Sequence, residues 1–205
     1  MLRVFKMTML LVIALLVCAL PAVAAEFSAD MNISAGGQQM ASKIYTMGDM
    51  QRMEITTPGG KMINIVDFKT GKMFTLMPAQ KMYMAHEGMD DDTLKQVKAF
   101  RSGKMPANTK KVGSEKVAGY STDVYLVDDP KSGKTKMWYS PKLMYPIKSE
   151  GQGPMGKHSM VLSNIKEGGV DGGLFKVPAG YNKFDMPKGM PKGAMPGGMG
   201  GARGQ

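Results

Sequence analysis

Phe27-Ser28-Ala29-Asp30-Met31-Asn32-Ile33-Ser34 alternates apolar and polar side chains with a period of two. That period belongs to a strand with one face buried and one wet, and it is incompatible with a helix stripe. The same alternation continues outward from this segment. Gly36-Gly37 supplies a turn, and Met40 to Met47 reads as a second strand. After Gly48-Asp49, Met50 to Thr56 is a third, with Met53 and Ile55 on one face and Arg52 and Glu54 on the other. Pro58-Gly59-Gly60 introduces Met62 to Val66, Lys69-Thr70-Gly71 introduces Lys72 to Met77, and Pro78 precedes Lys81 to His86. Short strands joined by Gly and Pro turns predict an antiparallel meander.

Beyond the meander, Asp90-Asp91-Asp92 caps a helical stretch reaching Arg101, with Leu94, Val97 and Phe100 at helical spacing. Acidic residues there sit at the positive end of the helix dipole. The triplet lacks the alternating ligands and glycine of a calcium loop, so capping is the reading adopted. Strand signals resume at Lys111–Val117, Tyr120–Val127, Thr135–Ser140, Pro146–Glu150 and His158–Ile165, with a loose link at Gly151–Gly156 and a final extended piece at Leu174–Pro178. About eleven strands with one or two helices predict a mainly β protein built on a large curved antiparallel sheet.

The two ends differ in kind. Arg3 and Lys6 precede the apolar run Met9 to Leu20, which Pro21 breaks, and Ala22, Ala24 and Ala25 offer a small-residue cleavage site. Residues 1–25 therefore read as a signal peptide, since the run falls short of the ~20 residues that span a bilayer. Val17 before Cys18 is too bulky for a lipoprotein signal. The expected location is the periplasm. At the other end, residues 185–205 repeat Met, Pro, Lys and Gly around Met186, Met190, Met195 and Met199, a composition that reads as a disordered basic tail. The domain between them is expected at 26–184.

Composition excludes several functions. The 205 residues include 27 Lys+Arg against 17 Asp+Glu, two His, one Cys and 23 Met. The single Cys lies in the signal segment, so thiol chemistry and thiolate metal sites are absent from the mature chain. No Gly-x-Ser-x-Gly elbow occurs, and His86 has no neighbouring nucleophile, so no catalytic residue is assigned. Lys131-Ser132-Gly133-Lys134-Thr135 imitates the end of a phosphate loop but sits between two strands, and it reads as a turn. Lysines are dispersed without aromatic platforms, which argues against nucleic acid. The basic tail could meet an anionic envelope surface. No feature calls for more than a monomer.

Gln51-Arg52-Met53-Glu54, Ile65-Val66-Asp67, Gly71-Lys72-Met73-Phe74 and Pro78 together resemble the motif series of periplasmic carriers that sort outer-membrane lipoproteins, the LolA-like superfamily. Phe27-Ser-Ala-Asp-Met31, Met40-x-x-Lys43-Ile-Tyr45 and Leu174-Phe-Lys-Val-Pro-Ala-Gly-Tyr181 are similar to a bacterial exported domain of unknown function grouped with it. Met53 stands where the carriers have an aromatic residue, and Phe74 where they have Trp. The resemblance implies an unclosed, strongly bent antiparallel β-barrel with a helical lid over a concave apolar face that holds acyl chains. It also implies that Arg52 hydrogen-bonds the lid shut. On that reading Met31, Met53, Ile55, Met73, Phe74, Met77, Met82 and Met84, with Leu94 and Val97 from the helix, line the cavity.

Twenty methionines remain after removal of the signal segment. Unbranched, polarizable Met re-packs around variable apolar guests, as a carrier of acyl chains requires. A competing reading is a soft metal. Met82-x-Met84-x-His86 puts two thioethers and an imidazole on one strand face, and Met155, His158 and Met160 repeat the pattern. That donor set selects Cu(I) or Ag(I). A third reading is an envelope scaffold that pairs through a sheet edge. The expectation is a periplasmic, non-enzymatic protein binding a lipid or similar apolar ligand without a cofactor. Copper is the alternative.

Overall fold

The computed structural model describes residues 26–57, 59–86, 88–129, 133–153 and 156–185. The expected signal segment and all but the first residue of the tail lie outside them, as does Met155. Alternating burial turns the first half of the chain into β1 (Phe27–Ala35), β2 (Gln38–Met47), β3 (Met50–Thr57), β4 (Gly60–Asp67), β5 (Met73–Met77) and β6 (Met82–His86). A helix, α1 (Asp91–Arg101), precedes β7 (Thr109–Val117), β8 (Tyr120–Asp129), β9 (Gly133–Ser140), β10 (Tyr145–Gly153) and β11 (Gly156–Glu167). A two-residue β12 (Asn182–Lys183) lies parallel to β6.

All twelve strands form one sheet in the order β12-β6-β5-β4-β3-β2-β1-β11-β10-β9-β8-β7. Two meanders are thus joined through the antiparallel pair β1–β11, and α1 carries the chain from the β6 side to the opposite edge. The sheet is unclosed, with β12 at one end of the order and β7 at the other. Bulges interrupt the registers at Ser28/Asp30, Lys111/Gly113 and Pro146/Lys148. Each bulge adds a residue to one strand and increases local bend and twist. Gly36 and Gly37 both have positive φ, which the tight β1–β2 turn requires and glycine adopts without a Cβ clash.

Helix α1 forms where the sequence predicts it. The Asp90 side chain accepts from the Thr93 amide at 2.9 Å, and the Thr93 hydroxyl donates to it at 2.6 Å. Asp91 and Asp92 occupy the first turn, and Lys98 and Arg101 the last, complementing the dipole at both ends. None of its residues is fully buried. Its C-terminal end is fixed at two points on the curved sheet. The Phe100 ring meets Tyr139 of β9 edge-on at 5.4 Å, and Arg101 Nη2 donates to the Gly48 carbonyl of the β2–β3 turn at 2.7 Å. Gly48 follows β2, and three strands separate β2 from the β9 of Tyr139 in the sheet order, so adjacent helix residues join them because the sheet bends toward α1. Arg101 also stacks over Phe68 at 4.6 Å, and burial pushes its pKa down.

Two local expectations need correcting. Gly151 was expected in a loose link, but β10 continues to Gly153. The His158 ring lies against Gly151, where an added Cβ would come within 2.5 Å of Nε2, so the glycine serves the strand instead of breaking it. Leu174–Pro178 was expected to be extended. Gly172–Phe175 instead forms a 3-10 turn whose N-cap, Asp171, accepts from the Gly173 amide at 2.8 Å.

Candidate functional site: a methionine-lined inner face

The strand registers sort the side chains of β1 to β6 onto two faces. Phe27, Ala29, Met31 and Ile33 of β1 share a face with Met40, Ser42, Ile44 and Thr46 of β2. Across the next ladders that face continues through Met53 and Ile55, then Met62, Asn64 and Val66, then Met73, Thr75 and Met77, and ends on Met82, Met84 and His86. In the second meander it carries Met160 of β11, Ser149 of β10 and Met137 of β9. We call it the inner face, because Tyr139, two residues beyond Met137 on β9, packs against α1. The outer face of the first meander bears Tyr45, Arg52, Glu54, Ile63, Ile65, Phe74, Leu76 and Tyr83.

Each face has its own packing. On the outer face Ile63, Ile65 and Leu76 form a core with Val170 and Phe175, and Leu174, Val177 and Tyr181 pack against it. The chain after β11 is therefore a cover for that face, built on branched and aromatic side chains. On the inner face Phe27, Ala29, Met31 and Ile44 are buried with Leu143, Ile147 and Leu162, which fills the part beside β1. Toward β6 the same face passes to methionines. Met77 and Met84 are buried there, Met53, Met62, Met73 and Met82 are half-buried, and Met40 is 42% exposed.

This distribution runs against packing economy. Immobilising a Met side chain costs about 1.5–2 kcal/mol of rotamer freedom, against about 0.5–1 for Leu or Ile. The covered part of the outer face uses Ile, Leu, Phe and Tyr, with Met47 and Met50 at its margin. The partly open inner face uses Met.

The structure places the sequence-derived cavity residues unevenly. Met31, Met53, Ile55, Met73, Met77, Met82 and Met84 share the inner face. Phe74 does not. It pairs with Ile65 in register, points to the outer face and lies 6.3 Å from the Tyr83 ring, because its position in β5 has the opposite parity to Met73. Leu94 and Val97 are half-buried on α1, and Leu94 lies near Gly71 in the β4–β5 turn. Met62, Asn64 and Thr75 belong to the inner face but were not singled out in the sequence. Their signal was the unbroken period of β4 and β5.

Arg52 lies on the face its parity gives it, but its partner is not the helical lid that the resemblance implies. It is 8% exposed on the outer face, and its Nη1 donates to the Leu174 carbonyl at 2.8 Å. Its Nε and Nη2 reach Glu54 Oε1 at 2.8 and 2.7 Å. The hydrogen bonds of Arg52 thus fasten the segment after β11, not α1. Burial alone would raise the Glu54 pKa. Hydrogen bonds and charge from Lys61 and Arg52 outweigh it and hold the carboxyl below its ordinary value.

The histidines occupy opposite ends of the inner face. His86 Nε2 lies 2.8 Å from the Thr75 hydroxyl, which is also 2.8 Å from Asn64 Oδ1. His158 Nε2 lies 3.1 Å from the Thr135 hydroxyl, with Met160 two residues along β11. Met82, Met84 and His86 are together on β6, whereas Met155 of the second triplet lies outside the described residues. Among the described residues no three His, Cys, Asp or Glu converge in a metal-binding group. The outer face carries a polar groove of about 570 Å³ lined by Asp30, Lys43, Glu54, Thr56, Lys61 and Asn164.

A single unclosed sheet, antiparallel except for β12 and crossed by one helix, is the architecture that the sequence resemblance implies. The chain belongs to the family described as "Domain of unknown function (DUF4412)", whose profile matches residues 27–144. An uncharacterized conserved protein from Thermus thermophilus has the same fold, with a TM-score of 0.57 over 80% of this chain and 91% of that one at 8% identity. The Pseudomonas aeruginosa MucA/MucB complex gives a TM-score of 0.49 at 15% identity, covering 73% of this chain and 54% of that one. This chain thus spans about half the length of that protein. A LolA superfamily protein from Nitrosomonas europaea gives 0.34 at 10% identity, over 76% and 91%. None of the curated proteins compared matches the chain in sequence. Among the described residues, no helix is long and apolar enough to cross a membrane.

Proposed function

We propose that this protein is a soluble, exported, non-enzymatic binding protein that holds an acyl chain or similar flexible apolar group on the methionine-lined inner face of its sheet. The observation that supports this most is the division of side chains between the faces. Rigid branched and aromatic residues form the sealed outer core, and unbranched methionines cover the half-open inner surface toward β6. A face that accommodates guests of varying shape gains from side chains that re-pack without large steric cost. Each methylene removed from water contributes about 0.8 kcal/mol without directional bonds, so a chain of a dozen carbons can be held by such a surface alone. Helix α1, with no fully buried residue, is the element able to yield when the guest enters.

The scaffold reading has less support. The β7 edge carries Lys110, Lys111 and Lys116 and a bulge at Lys111/Gly113, devices that discourage pairing with another strand. The test of the proposal is uptake of a fluorescent C16 fatty acid by the purified protein. Saturable uptake that Met53→Lys weakens at least tenfold is expected, because the charge would be desolvated on the inner face. Absence of uptake by the unmodified protein would contradict the proposal.

A further inference from the structure

The β5–β6 ladder sets Met73 opposite His86, Thr75 opposite Met84 and Met77 opposite Met82, all on the inner face. Directly opposed side chains in an antiparallel pair have Cβ atoms about 4.5–5.5 Å apart, within the joint reach of a thioether and an imidazole. His86 does not extend outward from the strand end. Its Nε2 lies 2.8 Å from the hydroxyl of Thr75, the residue facing Met84, so the ring leans back along the strand into the methionine rows.

With the Asn64 amide oriented so that Oδ1 faces Thr75, the hydrogen bonds assign the free ring nitrogen. The Thr75 hydroxyl has one proton and donates it to Asn64 Oδ1 at 2.8 Å. Its bond with His86 must therefore be donated by Nε2–H, which leaves the Nδ1 lone pair unprotonated in the neutral ring. A ligating histidine is ordinarily held in this way, with the second nitrogen donating to a fixed oxygen that sets tautomer and orientation. One imidazole nitrogen with neutral thioethers is a soft donor set. It suits a monovalent d¹⁰ cation and offers no carboxylate or thiolate to a hard or borderline divalent ion.

We propose that His86 Nδ1 and the thioethers of Met73 and Met84, backed by Met82 and Met77 in the next row, bind a soft monovalent cation of the Cu(I)/Ag(I) class. Thr75 acts as the positioning residue. The site does not depend on the apolar-ligand reading, and its test uses metal alone.

The test is an anaerobic titration of the full chain with Cu(I) against a chromophoric Cu(I) chelator, with Zn(II) as a control. Tight binding of Cu(I) is expected, with His86→Gln and Met84→Leu each weakening it at least tenfold and His158→Gln leaving it unchanged. Thr75→Val should weaken it about tenfold or more while the ligands remain. In ¹⁵N-histidine spectra of the folded protein, redox-inert Ag(I) should shift Nδ1 of His86 more than Nε2, a readout that a merely unfolded variant cannot imitate. Affinity no greater than that of a protein with few methionines would overturn the proposal. So would binding that His86→Gln and Met84→Leu leave intact, or an Ag(I) shift confined to His158.

Discussion

Arg52 is the residue on which the outer face closes. Its guanidinium is 8% exposed and divides its bonds between Glu54 and the Leu174 carbonyl, so it supports both a strand and the segment covering that strand. Removing Arg52 leaves the Leu174 carbonyl without its donor and Glu54 with the half-exposed Lys61 alone. Arg52→Ala should therefore cost about 2 kcal/mol in denaturant unfolding and speed amide exchange over residues 172–183. The Arg52–Glu54 pair makes the cover sensitive to acid. The Glu54 pKa lies below its ordinary value of 4.5 in the fold, so its contribution is complete above 4.5 and is lost as pH falls through the lowered folded value. Acid unfolding of Glu54→Gln should accordingly be less steep across that window than that of the unmodified protein. No local pattern of residues points to this arrangement. Arg52 and Glu54 were legible as outer-face neighbours by parity, but Leu174 lies 122 residues away and no local pattern encodes that bond. A buried arginine beside a carboxylate fits either a lid or a permanent clasp, and only the position of the covering segment distinguishes them.

At the scale of elements, α1 differs from the strands around it. It begins on a well-made cap, ends on Arg101 and Phe100, and buries none of its residues fully. Its stability therefore rests on its ends more than on an apolar stripe. Asp90→Ala removes the oxygens that accept from the Thr93 amide and hydroxyl, and should raise exchange across α1 while leaving β1 and β2 protected. Hydrogen-exchange mass spectrometry separates the two regions. The helix was readable in advance because its capping residues, apolar spacing and terminal charges lie within one short window. Gly172–Phe175 was not, since Asp171-Gly172-Gly173 reads equally as a loop and its 3-10 form is fixed by contacts with the outer face.

For the whole molecule, the period-two pattern that opens at Phe27 decided more than strand positions. Period two puts each of Met31, Met53, Met73, Met77, Met82 and Met84 on one side of its own strand, the resemblance groups them, and the registers bring those positions onto one surface. The same parity takes Phe74 out of that set, where only its correspondence to the carriers' Trp had put it. The joining of two meanders through β1 and β11 could not be read locally, because that pairing spans most of the chain. Its consequence is a curved surface with rigid packing behind it and methionines in front. The most direct test is a titration of [methyl-¹³C]methionine-labelled protein with palmitate, followed by NMR. The account predicts shifts for Met53, Met62, Met73, Met77, Met82 and Met84, while Met47 and Met50 in the outer core stay unmoved. No shifts, or shifts confined to Met47 and Met50, would contradict it.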